Sequence, residues 1–141
     1  MTPFAVQRID HLVLRVRDLE RSIAFYGEVL SCDVVKRRDD LGLVHLRAGA
    51  SMIDLVSIAG PLGSKGGAAP GEAGRNVDHM CLRVEPFDAA AILRHLQELD
   101  VPHDTEVHIN FGAEGTGPSI YLDDPDGNVV ELKGAEIPNH R

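Results

Sequence analysis

Aromatic side chains are scarce in this chain: they make up 4% of its 141 residues, and tryptophan is absent. A binding pocket built mainly from stacked aromatic rings is therefore not favoured. Cysteine is also scarce, and two thiols, Cys32 and Cys81, are too few for a disulfide framework. Long apolar runs are missing as well, because no stretch reaches the roughly 18 uncharged apolar residues that a membrane-spanning helix requires.

Positive charge is in deficit, with 14 Lys and Arg against 22 Asp and Glu and a net charge of −8. Excess negative charge repels phosphate backbones and anionic lipid surfaces, so we expect neither nucleic acid nor membrane as a partner. The first residues lack a basic segment followed by an apolar run, and we expect no secretion signal. Because 43% of the residues are hydrophobic, the chain can bury a core. These features predict a soluble, cytoplasmic protein.

A strand-like octapeptide occurs twice in the chain. IDHLVLRV occupies residues 9–16, and VDHMCLRV occupies residues 77–84, 68 positions later. Each copy is followed by a helical pattern that starts with Asp, DLERSIAFYGEVL in 18–30 and DAAAILRHLQELD in 88–100. Three short extended segments follow each helical pattern, and those of the second half are VPHDTEVHI (101–109), PSIYLDD (118–124) and NVVELKG (128–134). The sequence therefore predicts an α+β fold made of two tandem βαβββ modules.

The predicted modules are separated by a segment that is rich in Gly, Ala and Pro. The first module spans residues 1–58, the linker spans 59–76 and holds six of the fourteen glycines, and the second module spans 77–141. A module of this size is marginal on its own, so we expect the two halves to complete one another. They could do so within one chain or by exchange between two chains.

Polar side chains share one face of each repeated strand. Because strand residues alternate between faces, His11 and Arg15 lie together on one side of the first copy, opposite an apolar layer. His79 and Arg83 repeat this arrangement in the second copy. A histidine of this kind is often only solvated or bonded to backbone, so the repeat alone does not establish a site.

Carboxylates embedded in apolar strands strengthen the case that the histidines belong to a functional site. Asp54 in SMIDLVS and Glu131 in NVVELKG are each flanked by branched aliphatic residues near the end of a module. An unpaired buried carboxylate is costly, so each acid needs a partner. Two imidazoles with one or two carboxylates are a ligand set for a divalent metal. Ion pairs with Arg15 and Arg83 are the alternative.

Three motifs resemble the vicinal oxygen chelate superfamily, which includes glyoxalase I, extradiol dioxygenases, fosfomycin-resistance thiol transferases and bleomycin-binding proteins. They are IDHLVLRVRDLERSIAFYGEVL, VDHMCLRV and IYLDDPDGNVVEL, and the resemblance covers about residues 8–134. It implies an open, curved mixed sheet, a small-molecule substrate and a homodimer. It also implies a divalent metal ion as cofactor, and Zn, Ni, Mn, Co and Fe(II) all suit such ligands.

The resemblance also implies roles for individual residues. The family's metal positions match the first-strand histidines and last-strand carboxylates: His11, His79, Glu131 and Asp54. Asp54 is one carbon shorter than the acid or amide that glyoxalase I-like members usually carry, which makes it the least secure ligand. Asp54 or a displaced Glu131 would act as general base, and Tyr121 could donate to a substrate oxygen. Arg15 and Arg83 could bind an anionic substrate group.

Departures from the family narrow the activity. Extradiol dioxygenases share a tyrosine ten residues before the last ligand, here Tyr121, but also carry a histidine shortly upstream, which residues 112–119 lack. Fosfomycin-resistance members tend to have threonine where Val13 stands, and bleomycin binders have generally lost the ligands. The leading hypothesis is glyoxalase I-like lyase or isomerase chemistry, and a dioxygenase, a fosfomycin-resistance member and a non-enzymatic binding protein are the alternatives. The motifs assign no role to four further histidines, His45, His95, His103 and His108.

Overall fold

A computed structural model describes residues 1–138, so the last three residues of the predicted second module lie outside the described part. The chain divides into two compact units, unit 1 (Met1–Ala69) and unit 2 (Pro70–Arg141). Within the described residues, no helix has both the length and the apolar character that crossing a membrane would demand.

Unit 1 contains one helix and one four-stranded sheet. Its elements are β1 (His11–Val16), α1 (Leu19–Leu30), β2 (Val34–Arg38), β3 (Leu43–Ala48) and β4 (Ser51–Ser57). The strand order is β1-β4-β3-β2, in which β1 and β4 are parallel and the other neighbours are antiparallel. Two short 3-10 turns lie at Asp39–Leu41 and Gly63–Gly66, the second inside the predicted linker.

Unit 2 repeats the same topology. Its elements are β5 (Met80–Arg83), α2 (Ala89–Glu98), β6 (His108–Gly112), β7 (Gly115–Asp123) and β8 (Val129–Lys133). The strand order β5-β8-β7-β6 again joins its first and last strands in parallel. The predicted α+β fold of tandem βαβββ modules is therefore confirmed, and the open mixed sheet takes the form of two four-stranded sheets, one in each unit.

Both helices begin where the sequence predicts. The carboxylates of Asp18 and Asp88 each accept a hydrogen bond of 3.1 Å from a backbone N–H three residues on, that of Arg21 and that of Ala91. This bond satisfies one of the donors that an α-helix leaves unpaired in its first turn. The helix that follows each repeated strand is thus fixed by a local signal.

The faces of β1 separate as alternation predicts. Leu14 and Val16 are fully buried, whereas His11 and Val13 on the other face are exposed. Burial of the apolar face anchors the strand, since each buried aliphatic side chain contributes about 1.5–3 kcal/mol. The polar face is consequently available for the site.

One predicted strand is displaced. The extended segment expected at about residues 101–109 forms a strand only from His108 onward, and β6 continues to Gly112. Pro102 lacks the N–H that a strand ladder needs, and the Asp104 carboxylate accepts a hydrogen bond from the N–H of Glu106, which forms a local turn. The partner strand β7 accordingly begins early, at Gly115.

The DPDG sequence before β8 forms a tight turn. The carboxylate of Asp124, which is 6% exposed, accepts hydrogen bonds from the backbone N–H groups of Asp126 and Asn128. Gly127 has a φ of 79°, in the region that favours glycine. This turn fixes the start of β8, the strand that carries Glu131.

Candidate functional site

In unit 1, the structure brings His11 close to Asp54. His11 Nε2 lies 3.9 Å from Asp54 Oδ2, beyond hydrogen-bonding distance, and the Asp54 side chain is 7% exposed. The parallel pairing of β1 with β4, in which Val13 is opposite Asp54, places both side chains on the polar face. The predicted first-module pair of histidine and acid is therefore adjacent in space.

Unit 2 presents the equivalent pair at closer range. His79 Nε2 lies 3.2 Å from Glu131 Oε1, and the Glu131 side chain is 6% exposed. Glu131 has a longer side chain than Asp54, which accounts for the shorter distance. Each unit thus supplies one imidazole and one buried carboxylate.

Each histidine is oriented by the aspartate that precedes it. His11 Nδ1 lies 2.8 Å from Asp10 Oδ2, and His79 Nδ1 lies 2.7 Å from Asp78 Oδ2. These hydrogen bonds are the first cause of a raised pKa in both imidazoles. Binding Nδ1 to a carboxylate leaves Nε2 for a metal, which is how metal-ligating histidines are usually held. The sequence carried this signal, because Asp precedes His in both copies.

Three polar side chains surround the Glu131 carboxylate. Ser119 Oγ donates to Oε2 at 2.5 Å, and Asn110 Nδ2 donates to the same oxygen at 3.3 Å. Burial alone would raise the pKa of Glu131, but hydrogen bonds from Ser119, Asn110 and Tyr121 and the charge of His79 outweigh it and lower the pKa. Glu131 is therefore held as a carboxylate, the form that binds metals.

Tyr121 lies next to this acid. Its hydroxyl accepts a hydrogen bond of 2.9 Å from Asn110 Nδ2, and β7 and β8 pair it directly with Glu131. Burial, followed by the charge of Glu131, raises the pKa of Tyr121. The phenol is therefore protonated at neutral pH and can donate.

His45, to which the sequence motifs assign no role, is the partner of Asp54. Its Nδ1 lies 2.8 Å from Asp54 Oδ1, so an N–H there donates to the carboxylate. The register of β3 with β4 pairs His45 with Asp54, just as β7 with β8 pairs Tyr121 with Glu131. His45 therefore takes in unit 1 the position that Tyr121 takes in unit 2.

His108, to which the sequence motifs also assign no role, lies beside Tyr121. The two rings are 5.5 Å apart and nearly perpendicular, at 73°. His108 Nε2 lies 2.7 Å from Asp104 Oδ2. The two residues are 13 positions apart in the chain, so no local pattern predicts their contact. The turn between β6 and β7 brings the two strands together.

The two candidate substrate-binding arginines have different surroundings. Arg15 donates to the carbonyl oxygens of Gly63 and Gly67 at 2.7 Å each and of Ala68 at 3.0 Å. Arg83 instead pairs with the carboxylates of Glu85 and Glu114 and lines a cavity. The second arginine therefore faces an open space within its unit.

That cavity lies wholly in unit 2 and has a volume of about 270 Å³. It contains both members of the second histidine–acid pair, His79 and Glu131. The other lining residues are Cys81, Arg83, Phe111, Gly112, Ala113, Glu114 and Lys133. Burial, then Glu131, raises the pKa of the Cys81 thiol to about 11, so Cys81 contributes a neutral thiol to the wall.

The donor chemistry of the two pairs fits a divalent metal. Imidazole Nε2 atoms with a fixed orientation and hydrogen-bonded carboxylates are the ligands that Zn, Ni, Mn, Co and Fe(II) accept. Within residues 1–138, no three His, Cys, Asp or Glu side chains are grouped so that they could hold an ion. Each unit by itself offers two donors.

Comparison with known proteins places the chain in a family. The model of the glyoxalase/bleomycin resistance protein/dioxygenase superfamily matches residues 8–132. The chain belongs to this superfamily. The match spans both copies of the repeat and the Glu131 strand, and it confirms the resemblance to vicinal oxygen chelate proteins.

Proteins with different names are similar to this chain. Virulence protein STM3117 from Salmonella typhimurium is 30% identical over 128 residues, which cover 90% of this chain and 83% of that protein. Its crystal structure aligns at a TM-score of 0.76, 28% identity, and 94% and 99% coverage of the two chains. Human mitochondrial methylmalonyl-CoA epimerase is 26% identical over 134 residues, 91% of this chain and 74% of that protein.

A third similar protein shares the fold. The structure of lactoylglutathione lyase from Agrobacterium tumefaciens has a TM-score of 0.66 and 22% identity, and the alignment covers 99% of this chain and 100% of that one. At this identity, the likeness establishes the architecture only.

Proposed function

We propose that this protein is a metal-dependent enzyme of the superfamily with glyoxalase I-like lyase or isomerase chemistry on a small substrate. His11, His79 and Glu131 are the metal ligands, and Asp54 occupies the family's fourth position and acts as general base. The observation that carries the proposal is the duplicated arrangement of a histidine anchored through Nδ1 beside a buried carboxylate.

The assignment of different roles to the two acids rests on their surroundings. Glu131 accepts hydrogen bonds from Ser119 and Asn110, which stabilise its charged form. Asp54 is held at Oδ1 by His45, while Oδ2 is 3.9 Å from His11. A carboxylate fixed at one oxygen can accept a proton at the other. Asp54 is therefore suited to remove the proton next to a substrate carbonyl.

The metal, when bound, would polarise two adjacent substrate oxygens and stabilise the negative charge that develops there. The single phenolic proton of Tyr121 forms the hydrogen bond to Glu131 in the structure, and in the substrate complex it would be donated to a substrate oxygen instead. Asn110 donates to the hydroxyl oxygen and orients it. Arg83 faces the cavity and would orient an anionic substrate group. One similar protein, human mitochondrial methylmalonyl-CoA epimerase, is named for a reaction of this class and supports the proposal.

Metal dependence is tested by elemental analysis of protein purified without an affinity tag. We expect a divalent metal in the wild type and its loss in Glu131→Ala, with His95→Ala on the exposed side of α2 as the matched control. EDTA should lower the melting temperature of the wild type, since a ligand bound only to the folded state stabilises it. Absence of metal after reconstitution, with stabilisation by organic ligands only, would indicate a binding protein instead.

The reaction class is tested with the metal-loaded protein. Methylglyoxal with a panel of thiols assays lyase activity, and exchange of the α-proton of small carbonyl compounds into D₂O assays proton abstraction. We expect exchange in the wild type and none in Asp54→Asn. Exchange that persists in Asp54→Asn would remove Asp54 as the base.

Ring-cleaving dioxygenase activity is the second candidate, and one observation favours it. The sequence lacks the usual histidine just upstream of Tyr121, yet the structure places His108 5.5 Å from that ring. Oxygen consumption with catechols by the Fe(II)-loaded protein tests it. Uptake that depends on His108 would replace the lyase proposal, whereas no uptake leaves the lyase proposal in place.

A further inference from the structure

Two cations face each other on the wall of the unit 2 cavity. The parallel pairing of β5 with β8 places Cys81 opposite Glu131 and Arg83 opposite Lys133, and all four side chains line the cavity. Like charges directly across a strand pair are destabilising. Lys133 is also only 5% exposed, a rare environment for an ammonium group.

The charges of these two residues are balanced differently. Arg83 pairs with the carboxylates of Glu85 and Glu114 at 2.7 and 3.2 Å. Lys133 Nζ donates to the carbonyl oxygens of Gly115 at 2.9 Å and Gly134 at 3.5 Å, and no carboxylate of the described residues forms an ion pair with it. An ammonium has three N–H donors, so two carbonyl oxygens leave one donor and the full charge unmatched.

Unit 1 lacks this arrangement. At the position equivalent to the cross-strand pair, Arg15 is opposite Val56, which is 5% exposed. An apolar residue there is the ordinary choice for a buried strand. The second cation is therefore a property of the unit that has the cavity.

We propose that Lys133 and Arg83 bind a carboxylate at the end of the substrate opposite its metal-chelating oxygens. The inference deepens the proposed function and rests on it. Lys133 is two residues from Glu131 on the same strand face, a separation of roughly 7 Å. A chain of about two carbons spans that separation.

The cavity sets the size of the substrate. Pockets for drug-sized ligands measure roughly 300–1,000 Å³, and this one measures about 270 Å³. The substrate class is therefore a small dicarboxylate that carries adjacent oxygens at one end, such as a five-carbon 2-oxo diacid. Once the metal balances Glu131, Lys133 is a cavity cation with which no carboxylate of the described residues pairs, and this favours an anion beside it despite the net charge of −8.

The test compares two ligands that differ only at the far end. 2-Oxoglutarate carries the distal carboxylate, and 5-methyl-2-oxohexanoate carries an isopropyl group of the same shape at that position. In calorimetry with metal-loaded protein, we expect 2-oxoglutarate to bind at least 10-fold more tightly, since a charged hydrogen bond contributes that much. Lys133→Met should reduce the ratio to about 2-fold or less, and Lys36→Met, an exposed lysine of β2, should retain it.

The controls separate failure of the inference from failure of the proposed function. Acetohydroxamate chelates a metal through adjacent oxygens and has no distal carboxylate. If it does not bind the metal-loaded wild type, the proposed metal site is wrong. If it binds and the wild type does not prefer 2-oxoglutarate, or Lys133→Met keeps the preference, the inference is overturned. Should Lys133→Met fail to fold by circular dichroism, Arg83→Gln decides by the same ratio.

Discussion

The two units are copies of one βαβββ design, yet the polar face of the repeated strand has a different fate in each. In unit 1, the 3-10 turn Gly63–Gly66 and the residues after it place their carbonyl oxygens around the guanidinium of Arg15. In unit 2, the equivalent Arg83 lines a cavity of about 270 Å³. The same strand therefore supports a covering loop in one unit and an open pocket in the other.

Glycine makes the covering loop possible. A Cβ at Gly63 would come within 1.9 Å of the carbonyl oxygen of Ser57, and a Cβ at Gly66 within 2.4 Å of the Arg15 guanidinium carbon. Only residues without side chains allow this close approach. The comparison teaches that both units keep the histidine–acid pair, while the surroundings of the pair differ: a loop covers Arg15 in unit 1, and a cavity lies beside Arg83 in unit 2.

The largest expected effect separates the two acids. Asp54→Asn should retain bound metal and lose turnover on the order of 10³-fold, because a general base supplies 10²–10⁴-fold. Glu131→Gln should lose the metal itself, because an amide cannot replace a carboxylate ligand here. Metal analysis beside kcat on each variant measures both. Equal metal loss in the two variants would show that the acids have the same role.

The next effect concerns the covering loop. Gly63→Ala should destabilise the protein by about 3 kcal/mol, because the added methyl overlaps a backbone oxygen that cannot move aside cheaply. Gly74→Ala, where a Cβ meets nothing within 4 Å, is the matched control and should change stability by less than about 0.5 kcal/mol. Urea unfolding monitored by circular dichroism measures the difference. A Gly63→Ala variant as stable as the wild type would mean that the loop does not pack closely on unit 1.

A smaller effect is expected at His45. His45→Ala should lower kcat about 10- to 100-fold with metal content unchanged, because Asp54 loses the donor that fixes its orientation. His45→Asn places an amide N–H near the Nδ1 position and should restore part of the loss. Tyr121→Phe is the matched change in unit 2. If His45→Asn is no better than His45→Ala, the hydrogen bond is not what matters.

The smallest effect is at Ser119. Ser119→Ala removes the donor 2.5 Å from Glu131 and should cost about 1–2 kcal/mol of stability in metal-free protein, since a buried charged acceptor loses a partner. Thermal unfolding measures this change. Ser64→Ala, in the covering loop, is the control for loss of a hydroxyl. Equal effects of the two substitutions would show that the hydrogen bond from Ser119 to Glu131 stabilises the protein no more than an exposed hydroxyl does.

Much of this architecture is readable from the sequence because its signals are local. The repeated strand, the Asp18 and Asp88 caps and the apolar alternation all depend on neighbours along the chain, and the α+β topology follows from them. The bond that holds Asp54 is different, since His45 reaches it only through the register of two antiparallel strands. The cavity, and the position of Lys133 on its wall, likewise depend on how β5, β6 and β8 pack.

The fate of the two arginines shows the same limit. Arg15 and Arg83 occupy equivalent positions in two octapeptides that share five of eight residues, and no local pattern distinguishes them. Glu85 is a local partner of Arg83, but the partners that distinguish the two arginines lie 31 residues or more away: Gly63 and its neighbours for Arg15, and Glu114 for Arg83. Long-range partners of this kind are fixed by tertiary packing, which a local pattern does not encode.

The central claim is that both duplicated histidines bind the same metal ion. Titration of metal-free protein with Zn²⁺ in a calorimeter measures it most directly, with His11→Ala and His79→Ala beside the wild type and His95→Ala as control. We predict one equivalent per chain in the wild type and a loss of affinity of about 100-fold or more in both ligand variants. Two equivalents per chain, or a loss confined to one of the two variants, would contradict the account.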